Sequence, residues 1–343
     1  MRKIAGLLSA MAFAAGAATS VAAQPAAPDF YKDRTVTLLI GFGSGGGNDT
    51  WARLIARHMS RHIPGQPNIL AQNVPGAGGL ALANQIYAVS PKDGTVIASV
   101  SRGIPLEPLF GGQGTSFDPL RLNWIGSPDR DTAICVARSD AGIGNIKDLY
   151  HKPLIMAATG SGTDSALYPE FLSVLLGLKL KTVKGYKGSN EMHLAIERGE
   201  AQGMCGSHDS VMHASTFAKA GKLTILFQGR LDPDPRLMGV ATWRDVARSD
   251  DERQVLQLFL TRSALGRPLM APPGVPLDRI ALLRRAFDRT MTDPQFVADA
   301  AKNDFKVDSM TGEQLAATLA AAYAASPEVI KRTREVLGRA GAK

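Results

Sequence analysis

Cysteine is scarce in this chain. Only Cys135 and Cys205 occur among its 343 residues, and neither has a neighbour at the spacing of a redox pair or a zinc site. Catalytic signatures are missing too. No Gly-x-Ser-x-Gly turn offers a hydrolase nucleophile, and no Gly-x-x-x-x-Gly-Lys-Ser/Thr loop offers a phosphate cradle. Aromatic residues make up only 6% of the chain, which argues against a pocket built on stacked rings. The net charge of +8 is spread along the sequence rather than gathered into Lys/Arg runs interleaved with aromatics. A basic surface of that kind suits anionic partners in general, or simply solubility, but not nucleic acid.

Long apolar runs are equally few. The one at the N-terminus, Ile4 to Ala18, is short of the roughly 20 residues a membrane span needs. Arg2 and Lys3 precede it, and Val21, Ala22 and Ala23 offer small residues before Gln24, which is the pattern of a cleavable secretory signal peptide over residues 1–23. No lipobox cysteine accompanies it. The expected product is therefore a soluble, exported, periplasmic protein of 320 residues carrying +6. In that compartment Cys135 and Cys205 either pair or stay as two buried thiols, and the sequence leaves both open.

What the sequence does contain is an alternation of strand-like and helix-like segments. Thr35–Ile40, Asn68–Asn73, Thr95–Val100, Ala133–Ala137, Leu154–Ala158, Lys181–Val183 and Leu223–Phe227 read as strands. Asp49–Ile63, Leu80–Val89, Ser165–Leu176 and Asn190–Arg198 read as helices between them. That order predicts an α/β fold with mainly parallel sheets flanked by helices. The last third is mostly helical, with Pro276–Thr290, Thr311–Ala324 and Pro327–Leu337. Turn-rich passages at Gly111–Asp118 and Asp232–Pro235 suggest two lobes, one from residues 24–125 and 229–343 and an inserted one from 126–228.

Three glycine-rich loops join a strand to a helix: Gly41–Asp49 (GFGSGGGND), Asn73–Gly79 (NVPGAGG) and Thr159–Thr163 (TGSGT). Glycine lets the backbone turn tightly and bring its amides close to a ligand. The helix that follows adds unpaired N–H groups, so an anion is welcome there. Asn48 or Asp49 is placed to cap the first of these helices. The first loop also satisfies the Gly-x-Gly-x-x-Gly pattern of dinucleotide sites. No Asp or Glu stands between Asp49 and Asp93 to take a ribose, however, so that reading fails. Ligands of open α/β sheets bind beyond the carboxyl ends of the strands, and two such edges facing each other would hold a carboxylate in opposed amides.

Other side chains are candidates to tune that ligand. Ser101 and Arg102 follow the third strand, and a guanidinium there suits a bidentate carboxylate contact. Arg130 is a second such arginine. Ser207, His208 and Asp209 follow another strand. His208 either satisfies a local hydrogen bond or, in a cleft, would make affinity change between about pH 5 and 8. His58 and His62 are spaced i, i+4, but Met59 stands where a metalloprotease needs Glu, so they read as exposed helix histidines and no metal is expected.

Taken in order, these segments resemble one family. Val36–Arg53, Gln72–Gly79 (QNVPGAGG), Pro91–Thr95 (PKDGT), Gly160–Thr163, Gly185–Ser189 (GYKGS), Arg198–Gly203 and Ala220–Leu223 are similar to successive landmarks of the tripartite tricarboxylate receptors, also called Bug receptors. The resemblance implies a two-lobed periplasmic binding protein of the Venus-flytrap type (type II-like), expected to be monomeric. It would bind a small organic carboxylate without cofactor or turnover and deliver it to membrane permease subunits. The family holds its ligand largely with loop amides, hydroxyls and water. The matching positions are Ser44, Gly46, Gly47, Asn48, Asp49, Ala77 and Gly78 on one side, with Gly160, Ser161, Gly162 and Thr163 facing them; Ser101, Arg102, Ser207 and His208 complete the candidate set. Two departures stand out: Gly41-Phe42-Gly43 replaces a proline-bearing start with Asn48 in place of Thr, and Gly185 replaces a proline. A sensor-linked receptor, or a periplasmic enzyme on a similar scaffold, would share much of this pattern.

Overall fold

The computed structural model describes residues 30–45, 47–76, 79–130, 132–159, 163–186, 189–212 and 216–341. The proposed signal peptide, residues 1–23, lies outside them. Two sheets organise the chain. The first has six strands in the order β11-β4-β10-β3-β1-β2, and the second has five in the order β7-β6-β8-β5-β9. The strands of the first sheet are β1 (Thr35–Ile40), β2 (Asn68–Asn73), β3 (Val96–Ser99), β4 (Asn123–Ser127), β10 (Leu269–Ala271) and β11 (Met310–Thr311). Those of the second are β5 (Ala133–Arg138), β6 (Leu154–Ala157), β7 (Leu180–Val183), β8 (Gly203–Ser207) and β9 (Leu223–Gly229).

The longer helices among the described residues follow the expected alternation. They are α1 (Gly47–Met59), α2 (Leu80–Ala88), α3 (Asp164–Leu176), α4 (Ser189–Arg198), α5 (Asp250–Leu265), α6 (Leu277–Thr292), α7 (Pro294–Ala301), α8 (Gly312–Tyr323) and α9 (Pro327–Gly341). The two-lobed α/β layout is as expected, but both sheets are mixed rather than mainly parallel. Parallel pairing is confined to β2-β1-β3 and to β7-β6-β8. The antiparallel partners are β10, β11, β5 and β9. Two of these, β10 and β11, span three and two residues, too short for the alternation that a sequence reading relies on.

Register decides where the loops emerge. Ile40 lies opposite both Asn73 and Ser99, so β1, β2 and β3 end at one edge. β10 runs the other way, and its first residue, Leu269, faces Ser99 and Gly126, so the segment before β10 arrives at that same edge. In the second sheet Ala157 faces Val183 and Met204, while Ala133 faces Ser207 and Gly229. The loops after β6 and β8 and the segments that enter β5 and leave β9 therefore share an edge as well.

Helices bind the two sheets into one core. Phe171 of α3 stacks on Phe259 of α5 at 3.8 Å between ring centroids, and Tyr168 meets the same ring edge-on at 5.1 Å. The Tyr168 hydroxyl is hydrogen-bonded to Ser263. All three rings are fully buried. α5 and α9, which the sequence assigns to the first lobe, pack on α3 beside the second sheet, and α8 packs on β4 of the first. One apolar cluster consequently runs from Ala98 and Trp124 in the first sheet through Phe259 to Cys135 and Phe227 in the second.

The state of the cysteines is decided by strand register. Cys135 and Cys205 are direct partners on the antiparallel strands β5 and β8, with Cα atoms 4.1 Å apart, and they form a disulfide. Seventy residues separate them in sequence. Closing so long a loop restricts the unfolded chain, worth about 2–4 kcal/mol for a typical disulfide. Urea unfolding of the Cys135→Ser/Cys205→Ser variant is expected to show a loss of that size. An unchanged midpoint would mean the bond adds nothing to stability.

Candidate functional site

The first glycine loop is held from below by one carboxylate. Asp49 sits in the first turn of α1, buried, and its Oδ2 accepts the Gly45 amide at 2.9 Å. Asn73, the last residue of β2, donates to its Oδ1 at 2.7 Å, and Arg53 reaches both oxygens at 3.0 Å. Asn73 also donates to the Phe42 carbonyl and accepts from Arg53. The Asp49 carboxylate is therefore occupied in shaping the loop, while its neighbours Ser44 and Gly47 are exposed and Asn48 is half-buried. Burial alone would raise the Asp49 pKa, but the hydrogen bonds from Arg53, Gly45 and Asn73 outweigh it and hold the group below the usual carboxylate range.

The loop of the second sheet is built differently. Thr159, Thr163 and Ser165 join their hydroxyls in a small network, with Thr159 Oγ1 donating to Thr163 at 2.9 Å and the Thr159 amide donating to Ser165. Thr163 is exposed. Ser207 is buried, and the His208 amide donates to the Thr132 carbonyl, which fixes the end of β8 against the start of β5. The His208 imidazole lies 3.1 Å from Asp209. Gly46, Ala77, Gly78, Gly160, Ser161 and Gly162 lie outside the described residues. Gly185 has φ of +114°, which a proline, fixed near −65°, cannot adopt. Its departure from the family pattern thus has a backbone cause.

Between the two edges lies a cluster of buried charge. Arg102, just past β3 and beside half-buried Ser101, brings Nε within 3.2 Å of Asp164 at the start of α3. Arg262 of α5 brings Nη2 to 3.0 Å from the other oxygen of that carboxylate. Asp164 thus ties an arginine at the first sheet's edge to the start of the helix that follows β6 in the second. Burial would push its pKa up, but the charges of Arg102 and Arg262 prevail and lower it. Arg267, between α5 and β10, pairs through Nη1 with Asp129, and its amide donates to Ser127 Oγ at 2.8 Å. Its Nη2 stands 3.7 Å from where a Cβ on Gly47 would sit, so the guanidinium lies beside the first glycine loop. Burial, and then the charge of Arg102, pull its pKa down to about 9, which leaves it charged at neutral pH.

Of the arginines singled out in the sequence, Arg102 is in this cluster and Arg130 is not. Arg130 binds Asp308, which also takes Arg230 Nη2 at 2.9 Å. These three hold the two segments that cross between the sheets, beside a polar cavity of about 220 Å³ that Asp234 and Arg236 also line. His58 and His62 are not the exposed pair expected. His58 is 3% exposed and meets Asp299 of α7 at 2.9 Å, while His62 meets Asp293 at 2.9 Å. His58 clasps α1 to α7, and His62, in the turn just after α1, holds the residue that caps α7; among the described residues no group of three or more His, Cys, Asp or Glu could hold a metal. Arg262, Arg267 and Asp129 escaped the sequence reading. Arg262 lies within a helix, and Arg267 precedes a strand too short to recognise.

Two glycine-loop edges that face each other across a charged seam are what a two-lobed solute receptor requires, and the profile of the tripartite tricarboxylate transporter family receptors (TctC) matches residues 51–334. The chain belongs to that family. Among curated relatives, the "UPF0065 protein in gbd 5'region" of Cupriavidus necator is 27% identical over 337 residues, 96% of this chain and 94% of its own. Among solved structures, a TctC solute-binding protein from Polaromonas superposes with a TM-score of 0.70 at 19% identity, covering 90% of this chain and 99% of that one. MatC of Rhodopseudomonas palustris, solved with bound malate, gives 0.61 at 21% identity, with 89% and 99% covered. The receptor family is one of solute-binding proteins rather than enzymes, and these similarities fix the fold.

The anchoring role of Asp49 in this TctC-family receptor makes a test with a defined sign. A group whose folded pKa is depressed stabilises above its unfolded pKa, and loses that contribution as pH falls through the folded value. Asp49→Asn is expected to cost about 1–2 kcal/mol at pH 7, since Arg53 is partly exposed and the pair is screened. The deficit should shrink in urea titrations carried below about pH 4. A deficit that stays the same at low pH would rule out the charge as its source.

Proposed function

We propose that the protein is a periplasmic receptor that captures a small organic carboxylate between its two glycine-loop edges. It hands that solute to the membrane permease subunits of a tripartite tricarboxylate transporter. In this reading the first edge contributes Ser44, Gly46, Gly47, Asn48, Ala77, Gly78, Ser101 and Arg102. The second contributes Gly160, Ser161, Gly162, Thr163, Ser207 and His208. The lobes are residues 24–125 with 229–343, and residues 126–228, and the receptor works as a monomer.

The observation that carries the reading is the Arg102–Asp164 pair, because it joins the two loop edges directly. Around it, Arg102 and Arg262 meet Asp164 and Arg267 meets Asp129, so paired charges concentrate where the two edges approach each other. The start of α1 adds amide N–H groups to the same edge, and such helix starts attract anions. A relative of this fold holding malate supports an organic acid as the ligand.

The test is a thermal-shift screen of ligand-free residues 24–343 against mono-, di- and tricarboxylates, amino acids and aromatic acids. A true ligand at 100 times its Kd should stabilise the fold by about 2.7 kcal/mol. A response confined to carboxylates is the expected result. No response from any carboxylate, with the protein shown to be folded, would overturn the assignment.

A further inference from the structure

Strand β2 ends the first sheet on one side, with β1 as its neighbour. Among the described residues no strand pairs with its other edge. The amides of Asn68 and Val74 donate to the carbonyls of Arg34 and Ile40 on the β1 side. Backbone direction alternates along a parallel ladder, so Ile69 and Ala71 turn their N–H and C=O groups to the open side. Such an edge is usually blunted by a charge, a proline or a bulge. β2 reads Asn-Ile-Leu-Ala-Gln-Asn in unbroken register and has none of these, and its Leu70 is exposed. Beside the edge runs a groove of about 480 Å³ between β2 and α1, lined by Arg53, Ala56, Arg57, Ser60, Ile69 and Ala71 among others. None of the described residues that line it is acidic. Arg53 and Arg57 form its rim, with side chains 43% and 64% exposed. Arg57 has only a loose contact of 3.8 Å with Asp299, a carboxylate that His58 and Lys302 also hold. Arg53 reaches Asn73 at the end of β2, and Ser60 reaches Pro67 just before its start. Helix and strand thus lie side by side in opposite directions. One helical turn from Arg53 to Arg57 advances about 6 Å, and two residues of an extended strand advance about 6.7 Å.

We infer that the open edge of β2 and the arginines of α1 form a docking surface for an extended, acidic segment of a partner protein. The segment adds a strand to the first sheet through the outward backbone groups of Ile69 and Ala71. Its acidic side chains, spaced i and i+2 on one face, meet Arg53 and Arg57 in charge-assisted pairs. The residue between them faces the other way and covers Leu70. A second copy of this chain does not suit the edge. Two β2 strands paired antiparallel in one continuous sheet would set both rows of arginines against each other on the same face. A free anion would meet the charge and leave the backbone edge unused. The inference goes beyond the receptor reading and stands apart from it, because no solute takes part in the contact.

Calorimetric titration of residues 24–343 with the blocked peptide Thr-Val-Asp-Val-Asp-Val-Thr tests the surface. One control peptide carries Lys for both Asp. The other, Thr-Val-Val-Asp-Asp-Val-Thr, keeps the charge and sends the two acids to opposite faces. The first peptide is expected to bind at least about tenfold more tightly than either control, and more weakly as salt is raised. Its binding should shift the amide resonances of Ile69 and Ala71. Arg57→Glu reverses the charge of an exposed side chain and should abolish the preference for the acidic peptide. Ala71→Pro blocks the backbone edge while sparing the β1 ladder, since proline is tolerated where a strand N–H faces outward, and should cost about tenfold in affinity or more. Melting temperatures show whether each variant folds; if Ala71→Pro does not, Arg57→Glu and the amide shifts decide. Equal affinity for the three peptides, shifts confined to other parts of the chain, or an unchanged preference in Arg57→Glu overturns the docking surface. So does a lack of binding at millimolar peptide, or a dimer of the protein that Ala71→Pro dissolves, which would make a second copy the occupant. None of these results bears on the carboxylate screen, so the receptor reading stands or falls separately.

Discussion

The arrangement of the whole molecule depends on one carboxylate taken out of water. Asp164 begins the helix that follows the second sheet's glycine loop, and it lies between Arg102 from the first sheet and Arg262 from α5. A charge buried alone would cost several kcal/mol, and its burial is tolerable only because both partners reach it with good geometry. Those partners come from different parts of the fold. The pair therefore has its full value only when both sheets and α5 are correctly placed, and it specifies their relative position more than it adds stability. The apolar side of the same junction, Phe171 on Phe259, supplies the favourable burial. Charge sets the alignment and the aromatic stack holds it.

The glycine loops gain from this alignment because each joins a strand to a helix, and the described residues at its ends fix those two elements. Asp49, Arg53 and Asn73 perform that task for the first loop by linking β2 to the start of α1. The hydroxyls of Thr159, Thr163 and Ser165 do so for the second. One loop uses a charged brace and the other a neutral one, so the two edges differ in how acid or salt would loosen them.

Much of this was legible in the sequence, for identifiable reasons. Strands such as Thr35–Ile40 and helices such as Leu80–Ala88 carry period and turn residues within themselves, and they fell within a residue or two of the expected positions. The glycine loops were readable because glycine at a strand-to-helix junction has few uses. What could not be read was set by distant partners. Strand β10 has only three residues and pairs against the parallel direction. The Cys135–Cys205 bond depends on the register of β5 and β8. His58 is apolar-faced because α7 covers it, and nothing near His58 in sequence announces Asp299. Arg267 belongs to the same class. Its partners Asp129 and Gly47 are remote in the chain, so its place beside the loop appears only in three dimensions.

Asp308 has a mechanical consequence. Its carboxylate holds Arg130 on one crossing segment and Arg230 on the other, and its amide donates to the carbonyl of Pro128 on the first. Two ropes tied to one peg do not swing separately. Any twist that moved one segment ahead of the other would pull a guanidinium from that carboxylate, whereas a rotation carrying both together leaves the knot intact. If the lobes close on a solute as the proposed receptor reading requires, that shared contact favours a rotation of both segments together over separate bends.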